Sequence, residues 1–468
     1  MPKILLAEHF DLKAETRDYW KKRNWYYHQN LENLLCFLIP KKQLVLEIGA
    51  GTGDLLNAVM PSRGVGVDIS SRMMNKARSK YPSLEWRVDN AEDLKIGESF
   101  DYIILSDLVG SVNDVECVFS NLRRVTHAKT KLVITYYNYL WEPILRLAEL
   151  LHIKDRQHLQ NWLSLKDVEN LLYMSGFEII KSDNQLVLPV YIPFISVIIN
   201  RYIGNLPLIR KVGVIQYVVA RPIPQDREER SVSIIIPCRN EKGNIEDAVK
   251  RIPRFGTYQE IIFVEKGSSD GTFEEIKRVA EIYVGKQNIH WYEGIIDNKR
   301  DKVRLGFEKA KGEVLMILDA DLTMPPEDLP KFYNAIISGK GEFINGSRLV
   351  YPLENESMRF LNILGNKFFS LMFSWILGQR IKDTLCGTKV LFKKDYEFIA
   401  ANRKYFGDFD PFGDFDLLFG AAKLNLKIVE MPIRYQARTY GDTNIQRWRH
   451  GWLLLKMTLF AARKFKFR

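Results

Sequence analysis

The chain of 468 residues is 46% hydrophobic, 12% aromatic and 27% charged. This balance excludes disordered, collagen-like and coiled-coil architectures, and at roughly 150 residues per domain it predicts two or three domains. The net charge of +11 is concentrated in residues 434–468, which hold nine Lys/Arg against the single acid Asp442. Such a segment suits a phosphate-bearing partner or an anionic membrane face, and equally a solvated basic helix end.

Four scattered cysteines without CxxC spacing (Cys36, Cys117, Cys238, Cys386) argue against a zinc ribbon or a disulfide framework and for a reducing cytoplasm. The apolar stretch at 4–7 is too short for a signal segment. The longest apolar run, 186–199, is broken by Pro189 and Pro193. A spanning helix needs about 20 apolar residues, so no transmembrane helix is expected.

Apolar strands are expected at 44–48, 64–69, 100–105 and 131–136, with helical periods between them, and closing strands at 177–188 and 215–220. Strand–helix alternation predicts a parallel, doubly wound α/β sheet with ligands at the strands' carboxyl ends. The first strand runs into Gly49-Ala50-Gly51-Thr52-Gly53-Asp54. Glycines at these positions let the backbone turn sharply and approach a ligand closely. A dinucleotide fingerprint needs glycine where Asp54 stands, and an acid there repels a pyrophosphate from the helix N-terminus, so a ligand without phosphates is favoured. Asp68 ends the second strand, where a carboxylate can accept two ribose hydroxyls. The run 89–94 (DNAEDL) lies between the strands expected at 64–69 and 100–105 and suits an adenine edge.

In this order of motifs, residues 30–222 resemble class I S-adenosylmethionine-dependent methyltransferases. The resemblance implies a Rossmann-like methyltransferase fold with the cofactor held by Glu47, Gly49, Ala50, Gly51, Gly53, Asp68, Ile69, Asp89, Asn90, Ala91 and Ser106. The methyl acceptor is not legible. Asp107 is the candidate base after the strand expected at 100–105, and the aromatic run 136–141 a candidate pocket wall.

Residues 221–230 (RPIPQDREER) mark a boundary before a second series of strands, expected at 232–237, 260–265, 289–293, 314–319 and 342–348, with helices at 244–252 and 272–282. The expected domains are therefore 1–222, a linker 223–230, 231–445, and a basic amphipathic C-terminal helix at 446–468. The fourth strand of the second series ends in Asp319-Ala320-Asp321. On extended backbone these acids share a side, and their mutual repulsion is relieved by a cation such as Mg²⁺ or Mn²⁺, which prefers oxygen ligands. The simpler alternative is that Asp321 caps the next helix.

Together with the loops at 233–241 (SIIIPCRNE) and 260–272 (EIIFVEKGSSDGT), this motif resembles inverting family 2 glycosyltransferases of GT-A fold, nearest to the polyprenol-phosphate mannosyltransferase kind. The resemblance covers 231–445. It implies that a nucleoside diphosphate sugar is bound by Pro237, Arg239, Asn240, Glu241, Glu265, Gly267, Ser268, Asp270, Asp319 and Ala320. The metal would be held by Asp319 and Asp321, and the catalytic residues would be Asp383, Asp416, Arg348 and Arg438. Lys266 stands where the family carries a second acid and could meet the diphosphate.

The resemblance also implies a lipid-linked, polyprenyl phosphate-like acceptor, or a glycan. If the acceptor is a hydroxyl, Asp383 is expected as its base. If it is a phosphate, Asp383 only positions and Arg348 docks the phosphate. Residues 360–377 and 448–468 are expected to touch the cytoplasmic membrane face peripherally. The function expected is a bifunctional sugar and methyl transferase. The alternatives are a glycosyltransferase with a non-catalytic cofactor-binding module and a nucleic-acid methyltransferase. The latter is disfavoured because the basic excess lies in the other half, and no nucleic-acid partner is expected.

Overall fold

The computed structural model describes residues 3–156, 160–224, 228–295, 298–348, 360–403, 414–436, 438, 440 and 447–467. The chain divides into two compact units, one built from the first 223 residues and one from residues 224–466.

The first unit holds strands β1 (Leu44–Ile48), β2 (Arg63–Asp68), β3 (Glu85–Val88), β4 (Phe100–Ser106), β5 (Thr126–Tyr137), β6 (Phe177–Gln185) and β7 (Ile215–Pro222) in the order β3-β2-β1-β4-β5-β7-β6. Branched residues fill β1, β4 and β7 because both faces of the sheet are covered. Leu46, Ile103 and Ile134 pack into one layer and Val45, Ile104 and Val133 into the other. The sheet is not wholly parallel, as the strand–helix alternation had suggested. β7 runs antiparallel to both β5 and β6. Side chains fix the helix starts: Ser70 accepts from Met73 N, and Ser164 and Asp167 form a capping box.

The second unit has the strands β8 (Val232–Cys238), β9 (Gln259–Glu265), β10 (Asn288–Glu293), β11 (Val314–Ile317), β12 (Phe343–Ser347), β13 (Lys389–Phe392) and β14 (Ile428–Pro432), in the order β10-β9-β8-β11-β13-β12-β14. Here too a single strand, β13, is reversed against its neighbours. The two sheets thus place the carboxyl ends of β1, β2 and β4, and of β8, β9 and β11, along one edge of each unit. Among the described residues no helix is long and apolar enough to cross a membrane.

β11 stops at Ile317, two residues short of the first acid of the Asp319-Ala320-Asp321 motif. Leu322 adopts φ +52°, and Thr323 donates to Asp321 Oδ1 through N (3.1 Å) and Oγ1 (2.8 Å). The acids therefore sit in a turn, and the alternation of extended backbone does not set their directions.

Candidate functional sites

In the first unit, Gly49, Gly51 and Gly53 all have positive φ, and a Cβ on Gly53 would collide with the Trp86 ring. Asp68, at the end of β2, accepts from Gly51 N (2.9 Å) through Oδ2 and from Ser70 N (2.9 Å) through Oδ1. Burial raises its carboxyl pKa despite these bonds. A cavity of about 590 Å³ opens beside the loop, and Gly49, Gly51, Asp68, Ile69, Asn90 and Ser106 contribute to its wall, as do Asp89 and Ala91. Glu47 and Ala50 line a neighbouring cavity of about 300 Å³ instead. Glu47 is buried, accepts from Leu56 N at 3.1 Å, and has its pKa pushed up to about 8 by burial.

Both cavities reach Asp107, Arg17 and His28. Asp107 follows β4 with φ +54°. Its Oδ2 accepts from the Tyr27 hydroxyl at 3.0 Å, while Oδ1 is shielded from solvent without a hydrogen-bond partner. Burial pushes this carboxyl up to about 6. His28 is driven down to about 3 by burial and by the Arg17 and Lys21 cations. Sequence reasoning found Asp107 but missed Arg17, Tyr27 and His28. They lie on helices Lys3–Arg23 and Trp25–Leu38, ahead of any motif.

In the second unit, the loops after β8 and β9 are tied to each other. Asn240 N donates to Ser268 Oγ (3.0 Å), Ser269 N to Asn240 Oδ1 (2.9 Å), and Lys242 N to Asp270 (3.2 Å). Ser268 N donates to Glu265 (2.8 Å), and Asn244 Nδ2 donates to Glu241 (2.6 Å). Lys302, buried and missed from sequence, fastens both loops by donating to the carbonyls of Cys238 (2.9 Å) and Lys266 (3.0 Å). Lys266 itself turns to Glu293 at 2.6 Å.

Asp319 pairs with Lys299 at 2.6 Å. Its Oδ2 lies against Gly387, where a Cβ would collide with it. Asp321 pairs with Arg438 Nη2 at 2.6 Å, so both Asp321 oxygens are engaged. A divalent cation commonly takes one or two carboxylates plus substrate phosphates. Asp319 fits that role, whereas Asp321 would first have to release Arg438 and Thr323. Among the described residues there is no group of three or more His, Cys, Asp or Glu side chains placed to hold a metal.

Asp383 is fully buried and its carboxylate grips Arg348 at two points, with Nε at 2.7 Å and Nη2 at 2.8 Å. It also accepts from the backbone N–H groups of Arg348 (3.0 Å) and Leu385 (3.1 Å). These partners hold its pKa down against desolvation. Asp416, on helix Asp414–Lys423, pairs with Arg304 at 2.8 Å and faces Arg403 at 3.4 Å. Residues 410–413, 437 and 441–444 of the expected acidic and basic loops lie outside the described residues. So do the side chains of Arg447 and Arg449.

The family comparisons fit this division. Residues 19–182 match the family model "Methyltransferase domain" and residues 233–399 match "Glycosyl transferase family 2". The chain carries a methyltransferase domain followed by a family 2 glycosyl transferase domain. It is 31% identical to a dolichol-phosphate mannosyltransferase of Pyrococcus furiosus, over 46% of this chain and 59% of that one. To a low-salt glycan biosynthesis hexosyltransferase of Haloferax volcanii it is 25% identical, over 50% and 54%. To the dolichol-phosphate mannosyltransferase of Saccharomyces cerevisiae it is 34% identical, over 22% and 40%. The chain thus spans at most 59% of the length of these relatives. Among solved structures, a putative Haloferax volcanii methyltransferase in complex with its Trm112 activator aligns with TM-score 0.38 at 16% identity, covering 48% of this chain and all of that one.

Proposed function

We propose that the chain is a bifunctional transferase. Its second unit moves a sugar from a nucleoside diphosphate sugar to a polyprenyl phosphate-like acceptor with inversion, at the cytoplasmic membrane face. Its first unit transfers a methyl group from S-adenosylmethionine. The observation that carries the acceptor class is the state of Asp383. A hydroxyl nucleophile needs a base with an available lone pair, but Asp383 spends both oxygens on Arg348 and two backbone N–H groups. A phosphate monoester, with a second pKa near 6, arrives largely dianionic and needs only to be positioned. Asp383 therefore acts as a positioning residue. It locks Arg348 over the Tyr435 ring, 5.4 Å from its centroid, where the guanidinium meets an anionic acceptor. The relatives, dolichol-phosphate mannosyltransferases among them, support this class.

The donor's base and ribose are assigned to the tied loops of Pro237, Arg239, Asn240, Glu241, Glu265, Gly267, Ser268 and Asp270. Mg²⁺ or Mn²⁺, held by Asp319 with the diphosphate, would supply charge neutralisation of the leaving group. Asp321 holds Arg438 toward the same charge, and Asp416 orients Arg304. In the first unit, Gly49, Gly51, Asp68, Ile69 and the Asp89–Ala91 segment hold S-adenosylmethionine, which supplies an electrophilic methyl group. Asp107, with its unpartnered Oδ1, takes the acceptor's proton. Transfer from radiolabelled sugar nucleotides to dolichyl and undecaprenyl phosphate, against the corresponding free alcohols, tests the acceptor. Equal transfer to the alcohols would overturn this reading.

A further inference from the structure

The connection between β6 and β7, residues 186–214, contains no Asp or Glu, and its charged residues are Arg201, Arg210 and Lys211. It forms short helical turns at Ile195–Ile198, Ile199–Ile203 and Ile209–Val212. These turns leave large apolar side chains in solvent: Phe194 is 82% exposed, Leu208 78% and Ile198 52%. Phe194 holds φ +63°, a region an aromatic residue rarely adopts, so strained backbone here presents a ring outward. Joined to this connection is helix Glu142–Leu150, with Leu147, Leu150 and Leu151 also exposed. The two elements are joined, because Trp141 Nε1 donates to Val212 O (2.6 Å) and Asn138 Nδ2 to Gly213 O (3.0 Å). A soluble monomer rarely exposes an apolar patch of this extent without a use for it.

The chemistry selects a lipid surface over a protein groove. The protruding groups are aliphatic and aromatic tips set among exposed Arg201 and Lys211, with acids absent from the connection and the helix's Glu142 and Glu149 paired with Arg146 and Lys154, which suits an interfacial anchor for anionic headgroups. The same elements also wall the 590 Å³ cavity, through Ile144, Leu147, Leu151, Leu188, Pro189 and Val190. The apolar mouth is therefore continuous with the exposed patch, and Asp107 lines the same cavity.

We propose that residues 186–214 and helix Glu142–Leu150 seat the methyltransferase unit on an anionic lipid layer, and that the cavity draws an amphiphilic methyl acceptor from that layer. The second half of the proposal rests on the methyl-transfer reading of the site; the first does not. These residues are other than the 360–377 and 448–468 segments that the sequence suggested, although Arg201 Nε donates to Phe467 O (3.1 Å).

The test is flotation of the full chain with phosphatidylcholine vesicles, with and without phosphatidylglycerol. The wild type floats with the anionic vesicles. The double variant Phe194→Asp/Leu208→Asp loses at least tenfold of that binding, while S-adenosylmethionine binding by calorimetry is unchanged. Trp452→Asp, on the C-terminal helix, retains most of the binding. Should the double variant fail to fold, Phe194→Trp reports in its place, its emission quenched by brominated lipid tails. The docking proposal is overturned by wild-type flotation in the double variant, by no flotation of the wild type, by an unquenched reporter, or by conversion of a dimer to a monomer with vesicle binding intact. Lack of S-adenosylmethionine binding with vesicle binding preserved would remove the methyl-transfer reading and leave the docking surface standing.

Discussion

Arg348 and Asp383 meet through two parallel hydrogen bonds, Nε to Oδ2 and Nη2 to Oδ1, in a place where the carboxylate has no solvent exposure. The two residues come from different segments, the end of β12 and the loop ahead of β13, so the pair also staples that loop to the sheet. Glu430 reinforces the loop by accepting from the N–H groups of Lys382 (2.8 Å) and Asp383 (2.9 Å). Removing one partner of a buried pair leaves an uncompensated charge and costs about 3–5 kcal/mol. Asp383→Ala should therefore lower the melting temperature of the second unit and abolish sugar transfer. Arg348→Lys should fold nearly as well but transfer poorly, because an ammonium cannot reproduce the planar two-point grip. Thermal melts together with initial rates at saturating donor separate the two effects. A stable Asp383→Ala protein with normal turnover would contradict the positioning role.

As the proposed base, Asp107 gives the expected pH dependence of methyl transfer. A base must be deprotonated to act, and burial has raised this carboxyl to about 6. The rate should accordingly climb as pH rises through about 6 and level off above it. Asp107→Asn keeps the shape but loses the base, and should cut the rate by about 10²–10⁴ with little change in S-adenosylmethionine affinity. Tyr27→Phe removes the hydroxyl that hydrogen-bonds the carboxylate at 3.0 Å. It should shift the rising limb to higher pH, because that bond favours the charged form. A pH profile of single-turnover methylation reads both outcomes.

These residues also show which parts of the sites were legible in sequence. The ends of β1, β2 and β8 were readable because each apolar strand stops abruptly at a glycine, an acid or a polar loop, which is a local signal. β13 and β14 escaped because they are short and announced by no motif. Their pairing is set by tertiary contacts, and β13 enters the sheet reversed. Arg17, Tyr27 and His28 share the cavity of Asp107 only because two helices ahead of β1 fold over it, a placement that no spacing encodes. The strand carrying the two acids was read too long. Leu322 in the left-handed region and the Thr323–Asp321 hydrogen bonds close a turn immediately past Asp319, and the hydrophobic run alone does not reveal where pairing stops.

Glu47 gives a pH prediction for stability. Its pKa in the folded chain is about 8, against an ordinary value of 4.5. The folded state therefore binds a proton that the unfolded state releases across that interval. The stabilisation is complete below about 4.5, falls as pH rises, and is gone above about 8, with a limiting slope of about 1.4 kcal/mol per pH unit. Glu47→Gln retains an acceptor for Leu56 N and cannot ionise. Its denaturation midpoint should be less pH-dependent between 5 and 8 and should exceed that of the wild type at the alkaline end. Chemical denaturation of the first unit's transition, followed across that range, checks the sign directly.

The acid proposed to carry the metal can be tested without removing it. A Cβ on Gly387 would occupy space taken by Asp319 Oδ2 and come within 2.5 Å of Lys299 Nζ, so Gly387→Ala must push the carboxylate aside while leaving its charge in place. If Asp319 holds the cation and the donor diphosphate, Gly387→Ala should impair sugar transfer nearly as severely as Asp319→Ala. Neither variant should disturb S-adenosylmethionine binding in the other unit. Asp321→Asn keeps both hydrogen bonds from Thr323 but weakens the pair with Arg438, and should reduce turnover with a smaller effect on metal affinity. Excess chelator should silence sugar transfer in the wild type, with recovery on adding Mn²⁺ or Mg²⁺. Full transfer under chelation would mean that Lys299 and Arg438 alone neutralise the leaving group. Loss of metal dependence in Asp321→Asn, with Asp319→Ala still responsive, would move the cation from the first acid to the second.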